Sequence, residues 1–170
     1  MNDDLLETDD DEDEVDNVRS ELLTKIVPIY TGLGNNKVKW SNSEMTRLLA
    51  GRRIYYNLHG NYKGVWTYIS KNSVYGFMFN RTVSHMKDTY VRIDKLPAEN
   101  KKILNDASKV WDASDYTFNE ILKDLKRFHI TLSEESQDSY RKLHEIDLKL
   151  IKSVASSHDI VSTDAVEEII

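Results

Sequence analysis

Residues 40–60 read WSNSEMTRLLAGRRIYYNLHG, and this stretch decides the fold class. Ser41 is followed three residues later by Glu44, which makes a capping box: each side chain satisfies a free backbone N–H group at a helix start. Apolar residues then recur at helical spacing as far as about Leu58. His59-Gly60 is a typical helix end, because glycine adopts the left-handed conformation found there. The stretch therefore predicts a long, well-capped helix.

A second, shorter helix is predicted around Trp66, Tyr68 and Ile69, ending near Asn72. The segment SVYGFMF (73–79) that follows has the composition of a strand but is short and isolated. We predict a loop with buried aromatic side chains there.

A third helix is predicted within RTVSHMKDTYVRI (81–93), capped by Thr82 and ended near Lys95 by Pro97. Its buried stripe should be Met86, Tyr90 and Ile93, which lie at i, i+4 and i+7. The opposite side carries Ser84, Asp88, Val91 and Lys95, flanked by His85, Lys87 and Arg92.

The net charge of −6 hides three differently charged regions. Residues 1–36 hold eleven acids and two bases, residues 37–102 hold thirteen bases and four acids, and residues 103–170 hold fourteen acids and eight bases. The middle region thus carries +9 between regions of −9 and −6. Such a basic surplus favours a polyanionic partner, because each phosphate contact releases counterions.

The N-terminal region, residues 1–36, is predicted to be largely disordered, since residues 1–17 hold ten acids and only three aliphatic residues. It would be either a solubilising tail or an interaction arm that screens the basic region. SELLTKIVPIY (20–30) predicts a short helix ending before Pro28, and TGLGNN (31–36) predicts a loop.

The C-terminal region changes character after Pro97. Residues 99–130 predict two helices broken near Ser114-Asp115, and Ser133 predicts the cap of a longer third one. The longer helix has an apolar stripe interrupted by Asp147. These helices either extend the core of the preceding module or form a surface for a protein partner or for self-association, and residues 156–170 are expected to be a tail. The stripe consists of Tyr140, Leu143, Leu150, Ile151 and Val154.

Several classes of site are not expected. With zero cysteines there is no thiolate ligand or cysteine nucleophile, and the five histidines are widely spaced, so we expect no metal site. No combination of nucleophile, base and orienting acid stands out, so we expect neither an enzyme nor a cofactor. No apolar run is long enough to span a bilayer, and the acidic N-terminus does not resemble a secretory signal, which favours an intracellular protein without membrane contact.

Residues 37–96 resemble the Myb/SANT repeat, a homeodomain-like DNA-binding domain. The third helix resembles the telobox of telomere-repeat-binding Myb proteins, RTPVDLKDKWRNL, with identities at Arg81, Thr82, Lys87 and Asp88. Tyr90 stands at the third tryptophan position of the repeat. The residues that match the repeat are Trp40, Ser41, Glu44, Leu48, Gly51, Tyr55, Gly64, Trp66 and Ile69.

The resemblance implies an all-α, three-helix bundle whose third helix reads bases in the major groove. Lys87 would donate to guanine and Asp88 would accept from cytosine. Ser84 and Val91 replace a valine and an arginine of the telobox, which removes one methyl contact and one strong donor. A basic arm, Lys37-Val38-Lys39, would enter the minor groove. The DNA-binding set predicted in this way is Lys37, Lys39, Arg81, Ser84, Lys87, Asp88, Val91, Arg92 and Lys95.

The sequence thus predicts a nuclear protein with an acidic segment (1–36), a Myb-like module (37–96), a helical extension (97–155) and a tail (156–170). Its expected partner is double-stranded DNA at chromosome ends or elsewhere in chromatin. The extension, through residues 99–155, would recruit a protein or a second copy. An alternative is a SANT-type module that binds protein through the same three helices.

Overall fold

The computed structural model describes residues 14–32 and 38–169, with side chains as far as residue 154. Within that part the chain is mostly helical, as the sequence predicts, with one two-stranded sheet that it does not predict. The helices are α1 (residues 14–24), α2 (Asn42–His59), α3 (Val65–Lys71), α4 (Val83–Asp94), α5 (Ala98–Lys109), α6 (Phe118–Arg127) and α7 (Glu134–Ile169). The strands are β1 (Ile29–Tyr30) and β2 (Ile130–Thr131).

Helix α2 has the ends that its sequence predicts. The Ser41 Oγ accepts from the Glu44 N–H at 3.1 Å, and the Glu44 carboxylate accepts from the Ser41 N–H at 3.1 Å. At the other end Gly60 lies at φ 72° and donates its N–H to the Tyr56 carbonyl at 2.7 Å. The capping box and the terminal glycine are therefore both confirmed.

Helices α2, α3 and α4 each contact the other two. At Gly51 a Cβ atom would lie 2.9 Å from Cγ1 of Ile69, so glycine permits α3 to pack closely against α2 at this position. Trp40, Trp66 and Tyr90 are half-buried at the edge of the core rather than at its centre. The fully buried side chains at the centre include Leu48, Ile69, Val74, Tyr75, Phe77 and Met86.

The segment between α3 and α4 is a buried loop, as predicted. Ser73–Tyr75 form a 3-10 turn, and Gly76 follows at φ 79°. A Cβ atom at Gly76 would lie 2.5 Å from the Tyr116 ring, so the backbone passes directly against that side chain. Tyr75 and Phe77 are fully buried, and the loop therefore belongs to the core.

The C-terminal helices extend this core. Leu104 of α5 and Ile151 of α7 lie in the same hydrophobic cluster as Leu48 and Met86. The expected boundary at residue 96 therefore separates two regions of sequence but not two cores. The break between α5 and α6 lies at a 3-10 turn (Ala113–Asp115), as predicted.

Helix α7 begins where the sequence predicts, and the Ser133 Oγ accepts from the Ser136 N–H at 3.1 Å. Three residues of its predicted apolar stripe, Tyr140, Leu143 and Ile151, are buried, whereas Leu150 is exposed. The backbone continues as helix to Ile169, so residues 156–169 extend α7 where a tail was expected.

The prediction that residues 1–36 are largely disordered is wrong for residues 14–17, which begin α1, whereas the short helix predicted within residues 20–30 is confirmed, because α1 ends at residue 24, before Pro28. Helix α1 contributes Leu22 and Leu23 to a second hydrophobic cluster, in which Ile26 is buried. Strand β1 pairs antiparallel with β2, with Ile29 opposite Thr131. The apolar residues after position 20 bury enough surface to hold this segment in place despite the acids around it. Residues 1–13 and 33–36, which the prediction also covers, lie outside the described residues.

In the part of the chain that the structure describes, no helix combines the length and the apolar character needed to cross a membrane.

Candidate nucleic-acid interface

Helix α4 begins with a capping box in which histidine takes the usual place of an acid. The Thr82 Oγ1 accepts from the His85 N–H at 3.1 Å, and the His85 Nδ1 accepts from the Thr82 N–H at 3.2 Å. The cap that was predicted at Thr82 is confirmed. It sets where the helix starts and so which residues share each face.

One side of α4 is buried and the other is open. Met86, Thr89 and Ile93 are buried, and Tyr90 is half-buried with its ring centroid 5.5 Å from that of Trp66. Asp94 is exposed at the edge of the open side and pairs with Lys101 of α5. The other exposed side chains of α4 and its C-cap residue are Ser84, Lys87, Asp88, Val91, Arg92 and Lys95.

These six exposed residues, which we call the α4 face, were all predicted as DNA contacts. Val91 is an aliphatic side chain at the centre of this polar face and is 52% exposed. Arg92 donates to the Thr89 Oγ1 at 2.9 Å, and this bond holds its guanidinium beside the helix. The described C-terminal helices leave the whole face uncovered.

Arg81 was predicted as a DNA contact, but it is buried and does not belong to this surface. Its side chain is 3% exposed and donates to both carboxylate oxygens of Glu44, at 2.8 and 3.1 Å. The guanidinium also lies against the Trp40 and Phe128 rings, 4.4 and 4.5 Å from their centroids. With its donors and its planar faces occupied, Arg81 joins α2 to the start of α4.

The predicted basic arm lies beside the α4 face. The Val38 carbonyl accepts from Arg81 at 2.8 Å, and the Lys39 carbonyl accepts from Arg127 at 3.0 Å. The Lys39 side chain is exposed. Lys37, the other predicted base of the arm, lies outside the described residues. Arg81 therefore positions the arm.

A shallow groove of about 490 Å³ separates the arm from α4. Lys39 lines one side, and His85, Asp88 and Arg92 line the other. Cationic, anionic and imidazole side chains thus converge on one open concave surface.

Glu44 anchors this region electrostatically. Burial alone would raise the pKa of its carboxyl group, but hydrogen bonds and charge from Arg81, with Ser41 and Arg127, lower the pKa below its ordinary value. The carboxylate therefore stays ionised, and the Arg127 Nη1 contacts it at 3.0 Å from α6. A buried ion pair of this kind holds the arm, α2 and α6 in one arrangement.

A row of stacked side chains beside α4 was not predicted from the sequence. The Arg52 guanidinium lies over the Tyr90 and Tyr62 rings, 4.3 and 3.7 Å from their centroids, and Tyr62 stacks on exposed Tyr56 at 4.8 Å. The sequence shows Arg52-Arg53 as two equal bases. Consecutive helical residues point in different directions, so Arg53 instead donates to the Ser108 carbonyl of α5 at 2.6 Å.

The exposed side chains of residues 38–102 are basic on balance, with the buried ion pairs left out. In residues 38–102 the exposed acids are Asp88, Asp94 and Glu99. The exposed bases outnumber them more than two to one: Lys39, Lys63, Lys71, Lys87, Arg92, Lys95 and Lys102.

A serine, a histidine and an aspartate also meet between the 3-10 turn and α7, but not as a catalytic triad. The Ser73 Oγ lies 3.0 Å from the His144 Nδ1, and both residues are buried. Asp147 bonds to the Ser73 N–H and to Arg19. Among the described residues, no group of three or more acids and histidines could hold a metal ion.

Comparison of the chain with family models, curated proteins and solved structures finds no match. What the α4 face binds is therefore inferred from its own residues.

Proposed function

We propose that this chain is a nuclear protein that binds double-stranded DNA by placing α4 in the major groove. The observation that carries the proposal is the α4 face: six polar, charged or aliphatic side chains on one exposed side of a capped helix. A DNA major groove is wide enough for one α-helix, and base edges there present donors, acceptors and thymine methyl groups. The face offers a partner for each of these.

Each residue has a role that follows from its chemistry. Lys87 donates to guanine acceptors, Asp88 accepts from the amino group of cytosine, and Val91 packs on a thymine methyl group. Lys39, Arg92 and Lys95 contact phosphates, which orient the helix without reading sequence. Ser84, in the first turn, bonds to a base or a phosphate.

The three helices α2, α3 and α4 would then be a divergent Myb-like unit. Their mutual packing and the half-buried Trp40, Trp66 and Tyr90 support this proposal. The connection between α3 and α4 departs from it, because residues 72–82 are longer than the three- or four-residue turn of a helix-turn-helix. The buried 3-10 turn occupies that extra length.

The test is selection of bound duplexes from a random pool with the whole chain, at two salt concentrations. We expect an enriched sequence motif, and binding that weakens as salt rises because counterions are released. A telomeric-repeat duplex and its scrambled version, assayed side by side, test the telobox resemblance. Lack of binding at low salt would exclude DNA as the ligand.

A second candidate is a SANT-type module that binds protein through the α4 face. Exposed Val91 beside Asp88 favours it, because an aliphatic and an acidic side chain weaken non-specific contact with phosphates. In that case no DNA sequence motif is enriched from the random pool. The substitution Val91→Asp should then disrupt the complex with the protein partner and leave the affinity for DNA unchanged.

A further inference from the structure

The row of stacked side chains beside α4 takes no part in the contacts proposed above. The Arg52 guanidinium is held between two rings, 4.3 Å from the Tyr90 centroid and 3.7 Å from that of Tyr62. Tyr62 then stacks on Tyr56, with 4.8 Å between the ring centroids. We call these four residues the stacked row. It leads from α4 to the surface, where Tyr62 is 41% and Tyr56 44% exposed.

The stacked row meets α4 on one flank of the α4 face. Tyr90 lies three positions after Lys87 and four before Asp94, so these residues are neighbours on the helix surface. Asp94 brings an acid to this flank, and its carboxylate pairs with Lys101 at 3.1 Å. The arm with Lys39 lies on the other flank of α4. The row is therefore a second surface beside α4, distinct from the groove under the arm.

The loop between α2 and α3 holds Tyr62 and Lys63 in place. The Asn61 Oδ1 accepts from the Lys63 N–H at 2.9 Å, and the Lys63 carbonyl accepts from the Tyr55 hydroxyl. Gly64 ends the loop at φ 82°, a conformation that glycine adopts without strain. The side chains of Tyr62 and Lys63 remain exposed. A fixed backbone thus presents a ring and a cation to solvent, which lowers the entropy lost on binding a ligand.

The charge around the stacked row is positive. Residues 45–87, from α2 into α4, contain no aspartate or glutamate and seven bases, of which Lys63, Lys71 and Lys87 are exposed. Rings cover both faces of the Arg52 guanidinium, and its N–H groups bond to no other described residue. A guanidinium held in this way is suited to donate two parallel hydrogen bonds to a phosphate. The surface therefore favours a ligand that is anionic and carries flat rings.

We infer that the stacked row binds an unpaired nucleotide of single-stranded DNA. Its base stacks on the outer side of Tyr56, where no other described ring stacks, and so adds one ring to the row. Arg52 and Lys63 bond to phosphates of the same strand. Every base has a flat π-face, so a site of this kind accepts any base.

The position of the row beside α4 defines the form of the whole ligand, a duplex with a single-stranded extension. Helix α4 holds the last base pairs, and the unpaired strand leaves along the Lys87 flank toward Tyr56. The duplex part rests on the function proposed above, whereas binding of a single strand to the row does not.

The experiment measures the fluorescence anisotropy of labelled probes with the whole chain. The probes are a short oligothymidylate, the same oligomer with abasic sites in place of its bases, a blunt duplex, and that duplex with the oligothymidylate as an extension. We expect the oligothymidylate to bind roughly tenfold more tightly than the abasic oligomer, because the abasic strand has no base to stack. Equal affinities would show that charge alone attracts the strand and would overturn the inference.

Tyr56→Ala should weaken binding of the oligothymidylate and of the extended duplex roughly tenfold, and leave that of the abasic oligomer unchanged. Tyr56→Phe keeps the ring and should bind as the parent does. Tyr30→Ala removes an exposed tyrosine of β1 and is the matched control. Because both tyrosines are exposed, the variants should fold, and thermal unfolding checks this. Unchanged affinity of Tyr56→Ala for the oligothymidylate would contradict stacking on Tyr56.

Photocrosslinking locates the base directly. A thymidine is replaced by 5-iododeoxyuridine, which links to an aromatic ring in contact with it on irradiation, and we expect the link at Tyr56. A link outside the stacked row would move the site elsewhere. Tighter binding of an oligouridylate than of the oligothymidylate would assign the row to RNA. Either result would overturn the inference.

Failure of this inference and failure of the proposed function give different results. If the oligothymidylate binds through Tyr56 while the blunt duplex does not bind, the stacked row keeps its role and α4 loses the duplex. If the blunt duplex binds as tightly as the extended one and the oligothymidylate does not bind, α4 keeps its role and the inference is overturned.

Discussion

Arg81 and Lys87 lie six positions apart in one basic stretch, yet only Lys87 is free to meet a ligand. Arg81 neutralises buried Glu44, while Lys87 stands on the exposed side of α4. The difference comes from the fold, since both residues match the telobox pattern equally well.

Arg81→Ala should therefore act on stability. It leaves the Glu44 carboxylate buried with only Arg127 as a cationic partner, and breaking a buried pair typically costs about 3–5 kcal/mol. Urea unfolding of the whole chain measures the loss. Lys95→Ala, an exposed base nearby, should change stability by less than about 0.5 kcal/mol. Unchanged stability of Arg81→Ala with weakened DNA binding would show that Arg81 contacts phosphate after all.

The α4 face yields a prediction that separates base contacts from phosphate contacts. Lys87→Ala should cost about 1–3 kcal/mol on the selected duplex and relax discrimination at one position. Lys95→Ala should weaken selected and scrambled duplexes alike and lower the salt dependence by about one charge.

Asp88→Ala tests the same face more sharply, in the same binding assay. If the carboxylate accepts from cytosine, its removal lowers discrimination. If it contacts only solvent, its removal strengthens binding to every duplex, because one repulsive charge is lost. Tighter binding with unchanged discrimination would argue against base reading by Asp88.

His144 makes stability depend on pH. Burial lowers its pKa below the ordinary value of 6.5, although the charges of Asp147 and Glu145 oppose the shift. The unfolded chain then binds a proton more readily than the folded one, so stability should fall as pH drops below about 6.5. Urea unfolding between pH 7 and 5 measures the slope, and His144→Gln should reduce it. An unchanged slope in that variant would assign the effect to other groups.

At the scale of the element, α3 is short and depends on its neighbours. Its seven residues are too few for a stable isolated helix, so packing must hold it. Gly51 admits Ile69 on one side, and Trp66 packs against Tyr90 of α4 on the other. Helix α3 is therefore the element that supports the back of α4.

Trp66→Ala should loosen that support. The side chain is half-buried, so we expect a loss of about 2 kcal/mol, below the 3–5 kcal/mol typical of a fully buried tryptophan. Thermal unfolding measures it, with exposed Thr67→Ala on the same helix as the control. If Trp66→Ala melts like the parent, Trp66 does not support α4.

At the scale of the whole molecule, the basic region is not an independent unit. Arg47 bonds to Asp124 at 3.1 Å, Glu44 to Arg127 at 3.0 Å, and Ile151 completes the core. Removing α5 to α7 would leave the buried side chains of α2 without these partners.

A fragment of residues 31–100 should therefore lack a cooperative thermal transition, whereas residues 14–154 should retain one. Calorimetry of both fragments beside the whole chain makes the comparison. Cooperative melting of the short fragment would show that residues 37–96 fold alone, as the sequence pattern by itself implies.

By itself the sequence determined where α2 begins and ends and where α4 and α7 begin. Ser41, Thr82 and Ser133 cap helices at the predicted positions, and Gly60 ends α2, because caps and turns depend on residues within about four positions. The same local periodicity predicted which side of α4 is exposed.

Only the tertiary structure decided which charges are buried. Arg81 and Glu44 are 37 positions apart, and Arg19 and Asp147 are 128 apart. In the sequence Asp147 interrupts the apolar stripe of α7. In the structure its buried carboxylate forms an ion pair with Arg19 of α1. Local patterns do not encode such pairs, since the free energy of each depends on burial and geometry that exist only once the distant segments have met.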